Sequence, residues 1–237
     1  MRDMIIASTS TLHGGKYLEY LTSVLVKRLK RVDASQLLFI PFARPGGISH
    51  DDYTSRVREV LLPHDIEVVG LHTQKDLITA VQNAKAIFTG GGNTFQLVKM
   101  LHEYQLLAPL RQAIYSGTFY LGTSAGSNIC GLNMRTTNDM PVVQPASFKT
   151  IGAIGYNINP HYLDPDKNSK HMGETREQRI AEFHIYNNIP VVGLREGSYI
   201  DVQGDQEILR GELDARIFEQ EKNPYEVAPG YDFASLA

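Results

Sequence analysis

The segment YLGTSAGSNICG, residues 120–131, joins an apolar run to a string of small residues. Its centre places Ser124 between Gly122 and Gly126, where a buried strand is expected to end. Glycines there permit a strained turn from strand to helix that lifts a serine hydroxyl into a cleft, the arrangement called a nucleophile elbow. An ordinary tight turn would also suit these small residues. The rest of the chain must therefore supply a base, an acid and an oxyanion hole.

On the N-terminal side of this segment, short apolar runs alternate with amphipathic stretches. The predicted strands are 4–7, 36–41, 66–71, 84–89 and 118–122, and the predicted helices are 16–30, 51–62, 75–83, 94–102 and 108–115. This alternation predicts an α/β fold with a mainly parallel sheet covered by helices on both faces. Sites in such sheets lie beyond the carboxyl ends of the strands, where Ser124 and the run Gly90–Gly92 both fall.

The C-terminal half has a less regular pattern. A strand is predicted at 154–158 and a helix at 174–186, followed by short β segments at 191–194, 199–202, 207–209 and 215–218. The short segments predict a small antiparallel extension at the edge of the sheet. No linker rich in Pro, Gly or Ser divides the halves, so we expect one domain over residues 1–237.

Composition is that of an ordinary globular protein, with 42% hydrophobic residues and a net charge of −3. Nothing in it indicates a surface for nucleic acid or membranes. The basic cluster at residues 27–31 ends a predicted helix, where cations suit the helix dipole, and we expect a solvated face. The single cysteine, Cys130, excludes an intramolecular disulfide framework. With no apparent signal peptide, the sequence predicts a cytoplasmic protein and leaves open whether it forms a homodimer.

A catalytic serine needs a base, and histidine is the usual one near neutral pH. Of eight histidines, His161 stands out because it follows the strand-like run closed by Pro160. A functional and a structural role are about equally supported by this pattern. His13 and His72, near early loop or strand ends, also remain candidates.

The orienting acid is expected at another strand end. Glu196 follows the apolar run IPVVGLR and precedes Gly197, although an exposed turn glutamate would fit the same pattern. The chain order Ser, His, Glu differs from that of the α/β-hydrolases, in which the acid precedes the histidine. Triads occur in several chain orders on unrelated folds, so this order does not exclude one.

An oxyanion hole requires two backbone N–H groups near the attacked carbonyl. Ala125, directly after the serine, offers one, and the run TGGGNT at 89–94 can offer the other. The glycines could instead bind phosphate, but neither Gly-x-Gly-x-x-Gly nor a following Lys-Ser/Thr is present. No His-Glu-x-x-His motif occurs, and His161, Asp164, Asp166 and His171 lack recognisable ligand spacing. We therefore predict no metal and no cofactor.

At this point the sequence resembles a known family. The matching segments, in order, are FIPFA (39–43), TGGGNTFQL (89–97), GTSAG (122–126), RTTNDMP (135–141), INPHY (158–162), GETREQRI (173–180) and REGSYI (195–200). They resemble the peptidase E family of α-aspartyl dipeptidases over nearly the whole chain. The resemblance implies a flavodoxin-like fold related to the class I glutamine amidotransferases, and removal of N-terminal aspartate from dipeptides.

The resemblance also implies residue roles. It makes Ser124 the nucleophile, His161 the general base, Glu196 the orienting acid, Gly92 and Ala125 the oxyanion hole, Asp139 an additional active-site carboxylate and Arg176 the receptor of the aspartyl side chain. Chemistry supports the last two roles, since an N-terminal aspartate presents one ammonium and one carboxylate. Alternatively, Arg176 and Arg179 pair with Glu174 and Glu177 along one helix face. Ser127 departs from the alanine of many relatives, without expected consequence.

Two other functions remain open from sequence. A cyanophycinase-type serine exopeptidase would share the triad but act on β-linked aspartyl units. A non-enzymatic nucleotide or metabolite binder would use Gly90–Gly92 as an anion site. The polar segment 163–172, between His161 and Arg176, is a candidate lid over the substrate.

Overall fold

The computed structural model describes residues 1–165 and 173–236. Its strands are β1 Asp3–Ala7, β2 Gln36–Ile40, β3 Glu67–Gly70, β4 Ala86–Thr89, β5 Phe119–Thr123, β6 Asn157–Pro160, β7 Val191–Leu194, β8 Tyr199–Gln203, β9 Gln206–Arg210, β10 Ala215–Phe218 and β11 Tyr225–Val227. Its α-helices are α1 Glu19–Arg31, α2 His50–Leu61, α3 Leu77–Asn83, α4 Thr94–Glu103, α5 Leu107–Tyr115, α6 Ala125–Asn128 and α7 Arg176–Tyr186. Short 3₁₀ turns cover Leu62–His64, Leu71–Thr73 and Phe233–Leu236.

The main sheet has seven strands in the order β3-β2-β4-β5-β1-β8-β9. Its first five strands run parallel, and β8 and β9 continue it in antiparallel pairing. The run β3-β2-β4-β5 has the order of the first four positions of a flavodoxin sheet, and β1 occupies the fifth. The expected parallel α/β sheet is thus confirmed, with the antiparallel extension supplied by β8 and β9.

Both faces of this sheet are covered by helices because the buried strands are apolar on both sides. In β1, Ile5 and Ala7 pack into the core formed with α1 and α2. Met4 and Ile6 point the other way, into the core formed with α3, α4 and α5. The alternation of side chains along a strand, two residues per repeat, therefore separates the two layers.

A second sheet, which the sequence did not predict, packs on the α3–α5 side of the first. Its order is β11-β10-β7-β6, with β6 and β7 parallel and the remaining pairs antiparallel. Ile158, Val192 and Ile217 bring it into the same core as Met4 and Ile6. The segments predicted at 191–194 and 215–218 therefore belong here and not to the edge of the main sheet.

Two predicted boundaries move for local reasons. Helix α1 begins at Glu19 and not near Lys16, because Leu18 adopts a left-handed conformation with φ 58° that cannot continue a right-handed helix. Strand β6 spans Asn157–Pro160 and not 154–158, because Ile154 is buried as part of a loop. This second shift makes Pro160 the last residue of the strand and puts His161 directly after it.

The basic cluster at the end of α1 is not simply a solvated face. Arg28 is only 6% exposed, and its guanidinium bonds to Asp3 of β1 and Asp201 of β8. Arg31 also binds Asp3. The expectation of solvation was wrong for Arg28, because the C-terminal end of α1 packs over neighbouring strands β1 and β8, which supply Asp3 and Asp201. Burial of this arginine is tolerated because carboxylates pair with it.

The single cysteine lies in the core just after α6. Cys130 is fully buried, and its Sγ donates to the carbonyl oxygen of Gly126 at 3.4 Å. Burial raises the pKa of its thiol, which is therefore protonated at neutral pH.

None of the described helices combines the length and the apolar character needed to cross a membrane.

Candidate active site

Ser124 occupies a strained backbone position between β5 and α6. Its φ of 54° and ψ of −111° lie outside the regions that residues with a Cβ ordinarily adopt. Such a conformation costs about 1–3 kcal/mol and persists only where surrounding contacts hold it. Here the Ser124 N–H donates to the Ala7 carbonyl at 3.2 Å, and its carbonyl accepts from Ser127 and Asn128 at 2.9 Å. This is the backbone geometry expected of a nucleophile elbow.

The glycines on either side of Ser124 are required by close backbone contacts. A Cβ on Gly122 would lie 2.4 Å from the Gly126 carbonyl oxygen, and a Cβ on Gly126 would lie 2.1 Å from that of Thr89. Both distances are impossible for real side chains. The sequence Gly-Thr-Ser-Ala-Gly thus lets α6 leave β5 sharply and pass against the end of β4.

The histidine and glutamate expected from the sequence lie next to this serine. His161 Nε2 is 2.8 Å from Ser124 Oγ, and His161 Nδ1 is 2.6 Å from Glu196 Oε1. An ionised carboxylate can only accept hydrogen bonds, so Nδ1 carries the proton and Nε2 can accept from the serine hydroxyl. The side chains of His161 and Glu196 are 34% and 45% exposed, so the site is open to solvent on one side.

The other candidate bases lie elsewhere. His72 Nε2 contacts Asp51 Oδ1 at 2.8 Å, and its ring packs on that of His50 at 5.3 Å. Burial, and secondly the neighbouring His72, lower the pKa of His50. His13 is exposed in the loop after β1. Of the histidines that the sequence left open, only His161 is hydrogen-bonded to Ser124.

The two backbone amides predicted to form an oxyanion hole belong to residues next to Ser124 in sequence or in space. Ala125 is the first residue of α6, where helix geometry leaves its N–H unused. Gly92 follows β4 with φ 148°, and a Cβ on it would lie 2.3 Å from the Ala43 carbonyl oxygen. A Cβ on the preceding Gly91 would lie only 3.0 Å from Ser124 Cβ. Within the described ranges, neither the Gly92 nor the Ala125 amide donates to a protein acceptor.

Asp139 binds the N-terminus of helix α4, just beyond Gly92. Its Oδ2 accepts from the Thr94 N–H at 2.6 Å and from Thr137 Oγ1 at 3.1 Å. The adjacent Asn93 caps α4 through Gln96 N and donates to the Met140 carbonyl at 2.8 Å. The carboxylate is therefore held firmly near the expected oxyanion hole. Sequence reasoning did not foresee this attachment to the helix.

Arg176 is the first residue of α7 and lies beside Pro160, the residue before His161. Its Nη1 is 3.5 Å from the Pro160 carbonyl oxygen, a contact at the limit of a hydrogen bond. Burial, then the nearby Arg179, lower its pKa, and Glu196 opposes this shift. In the part of the chain that the structure describes, no carboxylate forms an ion pair with it.

The alternative pairing along α7 occurs only for the second arginine. Arg179 lies 3.7 Å from Glu174 at the surface, whereas Glu177 pairs with Arg216 at 3.0 Å. A cation in the first turn of a helix is also disfavoured by the helix dipole. Arg176 is therefore a partly buried cation without a compensating anion among the described residues. Its place at the N-terminus of α7 is electrostatically unfavourable for a positive charge.

One neighbour of the site received no role from sequence. Asn138 donates through Nδ2 to the Pro160 carbonyl at 2.8 Å, and Asn159 donates back to Asn138 Oδ1 at 2.9 Å. These bonds tie the segment 135–141 to the end of β6, directly before His161. The only sequence signal was the presence of Asn138 in the same motif as Asp139.

The predicted lid lies mostly outside the described residues. Asp164 is described and forms a two-pronged pair with Arg195, at 2.7 and 2.9 Å. Residues 166–172, including Asp166 and His171, are outside the described ranges. In the two ranges that are described, no group of three or more His, Cys, Asp or Glu could hold a metal ion.

Comparison with known proteins gives one consistent family. The model of peptidase family S51 matches residues 4–210. A Drosophila melanogaster protein named "Probable alpha-aspartyl dipeptidase" is 44% identical over 236 residues, which are 99% of this chain and 97% of that protein. A Streptomyces coelicolor protein named "Peptidase E" is 44% identical over 234 residues, 99% of this chain and 94% of that one. The solved structure of a peptidase from an acI-B1 Actinobacterium shares the fold, with TM-score 0.69, 17% identity and coverage of 98% of this chain and 96% of that one.

Proposed function

The chain belongs to peptidase family S51, and we propose that it is a serine dipeptidase that releases N-terminal aspartate from Asp-Xaa dipeptides through Ser124, His161 and Glu196. The observation that carries this proposal is the hydrogen-bonded sequence from Glu196 Oε1 to His161 Nδ1 and from His161 Nε2 to Ser124 Oγ. The names of the relatives support the aspartyl specificity. The strained backbone of Ser124 supports its role as nucleophile.

The geometry accounts for acyl transfer in two halves. Ser124 Oγ attacks the carbonyl carbon of the aspartyl residue while His161 Nε2 takes the hydroxyl proton. Glu196 holds the ring in the required tautomer and stabilises the imidazolium that forms. The oxyanion receives hydrogen bonds from the Gly92 and Ala125 amides.

Breakdown of the tetrahedral intermediate separates the products. His161 returns its proton to the leaving amine, and an aspartyl ester forms on Ser124. A water molecule, deprotonated by His161, then attacks this ester through the same oxyanion hole. Aspartate leaves with a free carboxylate, and the serine regains its proton.

Specificity for aspartate is assigned to two charged side chains at the site. Asp139, held at the N-terminus of α4, would face the substrate's ammonium with the carboxylate oxygen that the helix does not use. Arg176 would bind the side-chain carboxylate, which would supply the anion that the described residues do not. The ammonium and the carboxylate together distinguish an N-terminal aspartate from other dipeptides.

We propose further that residues 1–237 work as one catalytic domain. Ser124 comes from the main sheet, whereas His161 and Glu196 follow strands of the second sheet, so neither sheet holds the triad alone. The free thiol of Cys130 agrees with a reducing compartment, and we propose that the protein is cytoplasmic.

A three-substrate assay tests the function. We expect release of leucine from Asp-Leu and no hydrolysis of Leu-Asp or β-Asp-Leu, with Ser124→Ala as the inactive control. Preferred cleavage of β-Asp-Leu would favour the cyanophycinase-type reaction. A wild-type protein inactive on all three would contradict the proposal and favour a binding protein.

A further inference from the structure

Ser8 lies directly after β1, and neither its neighbours in sequence nor the family resemblance suggested a role for it. The residue is fully buried. Its Oγ donates to the Leu194 carbonyl at 2.7 Å and accepts from the His161 N–H at 2.8 Å. Its own N–H donates to the Ser198 carbonyl at 3.1 Å. The hydroxyl of this one residue thus bonds to the backbone of the base and of Leu194, and its main chain bonds to Ser198.

These bonds connect every part of the candidate triad. Leu194 ends β7, two residues before Glu196, and His161 follows β6, so the Ser8 hydroxyl joins the main sheet to the second sheet. The residue before it, Ala7, accepts from the Ser124 N–H. Two consecutive residues at the end of β1 therefore hold the backbones of the nucleophile and of the base.

The bond to His161 supports a conformation that needs support. His161 has φ 54°, a left-handed value that residues with a side chain adopt only where their surroundings impose it. Loss of the Ser8 hydroxyl would leave Leu194 with another donor, because its carbonyl also accepts from the Tyr162 N–H at 3.1 Å. The His161 N–H has no such second partner among the described residues. The effect of the loss therefore falls on the base.

We propose that Ser8 is a positioning residue for the hydrolytic reaction, and that its hydroxyl fixes the backbone of His161 at hydrogen-bond distance from Ser124. This inference rests on the proposed function of the triad. Ser8 does not contact substrate; it acts through the base. A displacement of a catalytic group by about 1 Å can lower the rate roughly 10²-fold, which sets the scale of the expected effect.

Three variants separate positioning from general stability. Ser8→Ala deletes the hydroxyl, and Ser8→Thr keeps it. Thr54→Val deletes another buried hydroxyl, on α2, which packs against β3 at the far edge of the main sheet. With Asp-Leu, we expect Ser8→Ala to lower kcat by about 10- to 100-fold with KM within about threefold of wild type. Ser8→Thr should recover most of kcat, and Thr54→Val should retain it.

A second readout follows the base without requiring Asp-Leu turnover. A fluorophosphonate reacts with a serine only when its base is in place, and mass spectrometry gives the rate of modification of Ser124. We expect Ser8→Ala to slow this labelling at least tenfold and to change the low-field proton NMR signal of the hydrogen on His161 Nδ1. These readouts remain informative if the threonine variant does not fold.

The outcomes are distinct. Wild-type inactivity on all aspartyl dipeptides would contradict the proposed function and leave the labelling rates to decide the role of Ser8. If the wild type is active and Ser8→Ala keeps wild-type kcat and labelling rate, the positioning role is refuted. The same conclusion follows if Thr54→Val loses as much of both as Ser8→Ala does.

Discussion

Replacement of Arg176 by methionine tests the specificity assigned to this site. Methionine keeps much of the bulk of the side chain and deletes the guanidinium. This group is partly buried, and among the described residues its hydrogen-bond contact is the one at 3.5 Å with the Pro160 carbonyl, which leaves donors for a substrate carboxylate. Asn-Leu is nearly isosteric with Asp-Leu but lacks the charge, and it would leave these donors desolvated and poorly paired.

The expected magnitude follows from the value of such bonds. Leaving a partly buried guanidinium without its charged partner costs about 2–4 kcal/mol of binding free energy in the transition state. At 1.36 kcal/mol for each factor of ten, wild-type enzyme should prefer Asp-Leu over Asn-Leu by roughly 30- to 1000-fold in kcat/KM. Arg176→Met should depress Asp-Leu hydrolysis and remove most of this preference. Arg176→Lys should restore only part of it, because a point charge cannot reproduce a two-pronged contact.

Kinetics with both dipeptides at several pH values provide the test. The matched control is Arg179→Met on the same helix, where the surface pair with Glu174 is lost and the ratio should persist. If Arg176 served mainly as a counter-ion to Glu196, both substrates would slow equally and the pH profile would move. Retention of the full Asp/Asn ratio in Arg176→Met would refute the specificity role.

Four further changes test the rest of the site. Ser124→Ala should lower kcat by roughly 10⁴- to 10⁶-fold with folding intact by circular dichroism, and a variant with a tenth of wild-type activity would contradict the nucleophile assignment. Glu196→Gln should lower kcat by about 10²- to 10⁴-fold with little change in KM, and wild-type kinetics would make Glu196 structural. EDTA should not affect activity, and inhibition reversed by zinc would indicate a metallopeptidase. Gly126→Ala should destabilise the fold by about 3 kcal/mol and lower Tm by roughly 6–12 °C, because its Cβ would meet the Thr89 carbonyl at 2.1 Å, whereas Gly46→Ala, with nothing within 4 Å, should not.

The sequence predicted the parallel sheet well because most of its strands, with the exception of the edge strand β3, are buried on both faces. Such strands are continuous apolar runs, and the helices between them have clear amphipathic patterns. The second sheet was not predicted as a separate sheet, although segments overlapping β6, β7 and β10 were predicted as strands. A short apolar run shows where a strand lies but not which partner it pairs with. Tyr225–Val227, which alternates polar and apolar residues in only three positions, gave no usable signal.

The candidate site was anticipated wherever a residue type coincided with a strand end. Ser124, His161 and Glu196 each follow a strand closely, and glycine or proline marked each place. The attachments that hold these residues were not foreseeable. The Ser8 hydroxyl and the Asp139 carboxylate bind backbone groups far away in sequence, and no local pattern encodes such partners. The roles of the site residues themselves remain predictions for the experiments above.

The burial of Cys130 has a practical consequence for measuring motion in this protein. It is the single thiol of the chain, it is wholly inaccessible, and it bonds to the carbonyl of Gly126 in the turn that follows Ser124. A thiol reagent can therefore react only in molecules in which the packing behind that turn has opened. The rate of alkylation, followed as one mass increment, measures how often this happens. Cys130 is thus a native probe of local opening, which requires no introduced label and no removal of another cysteine.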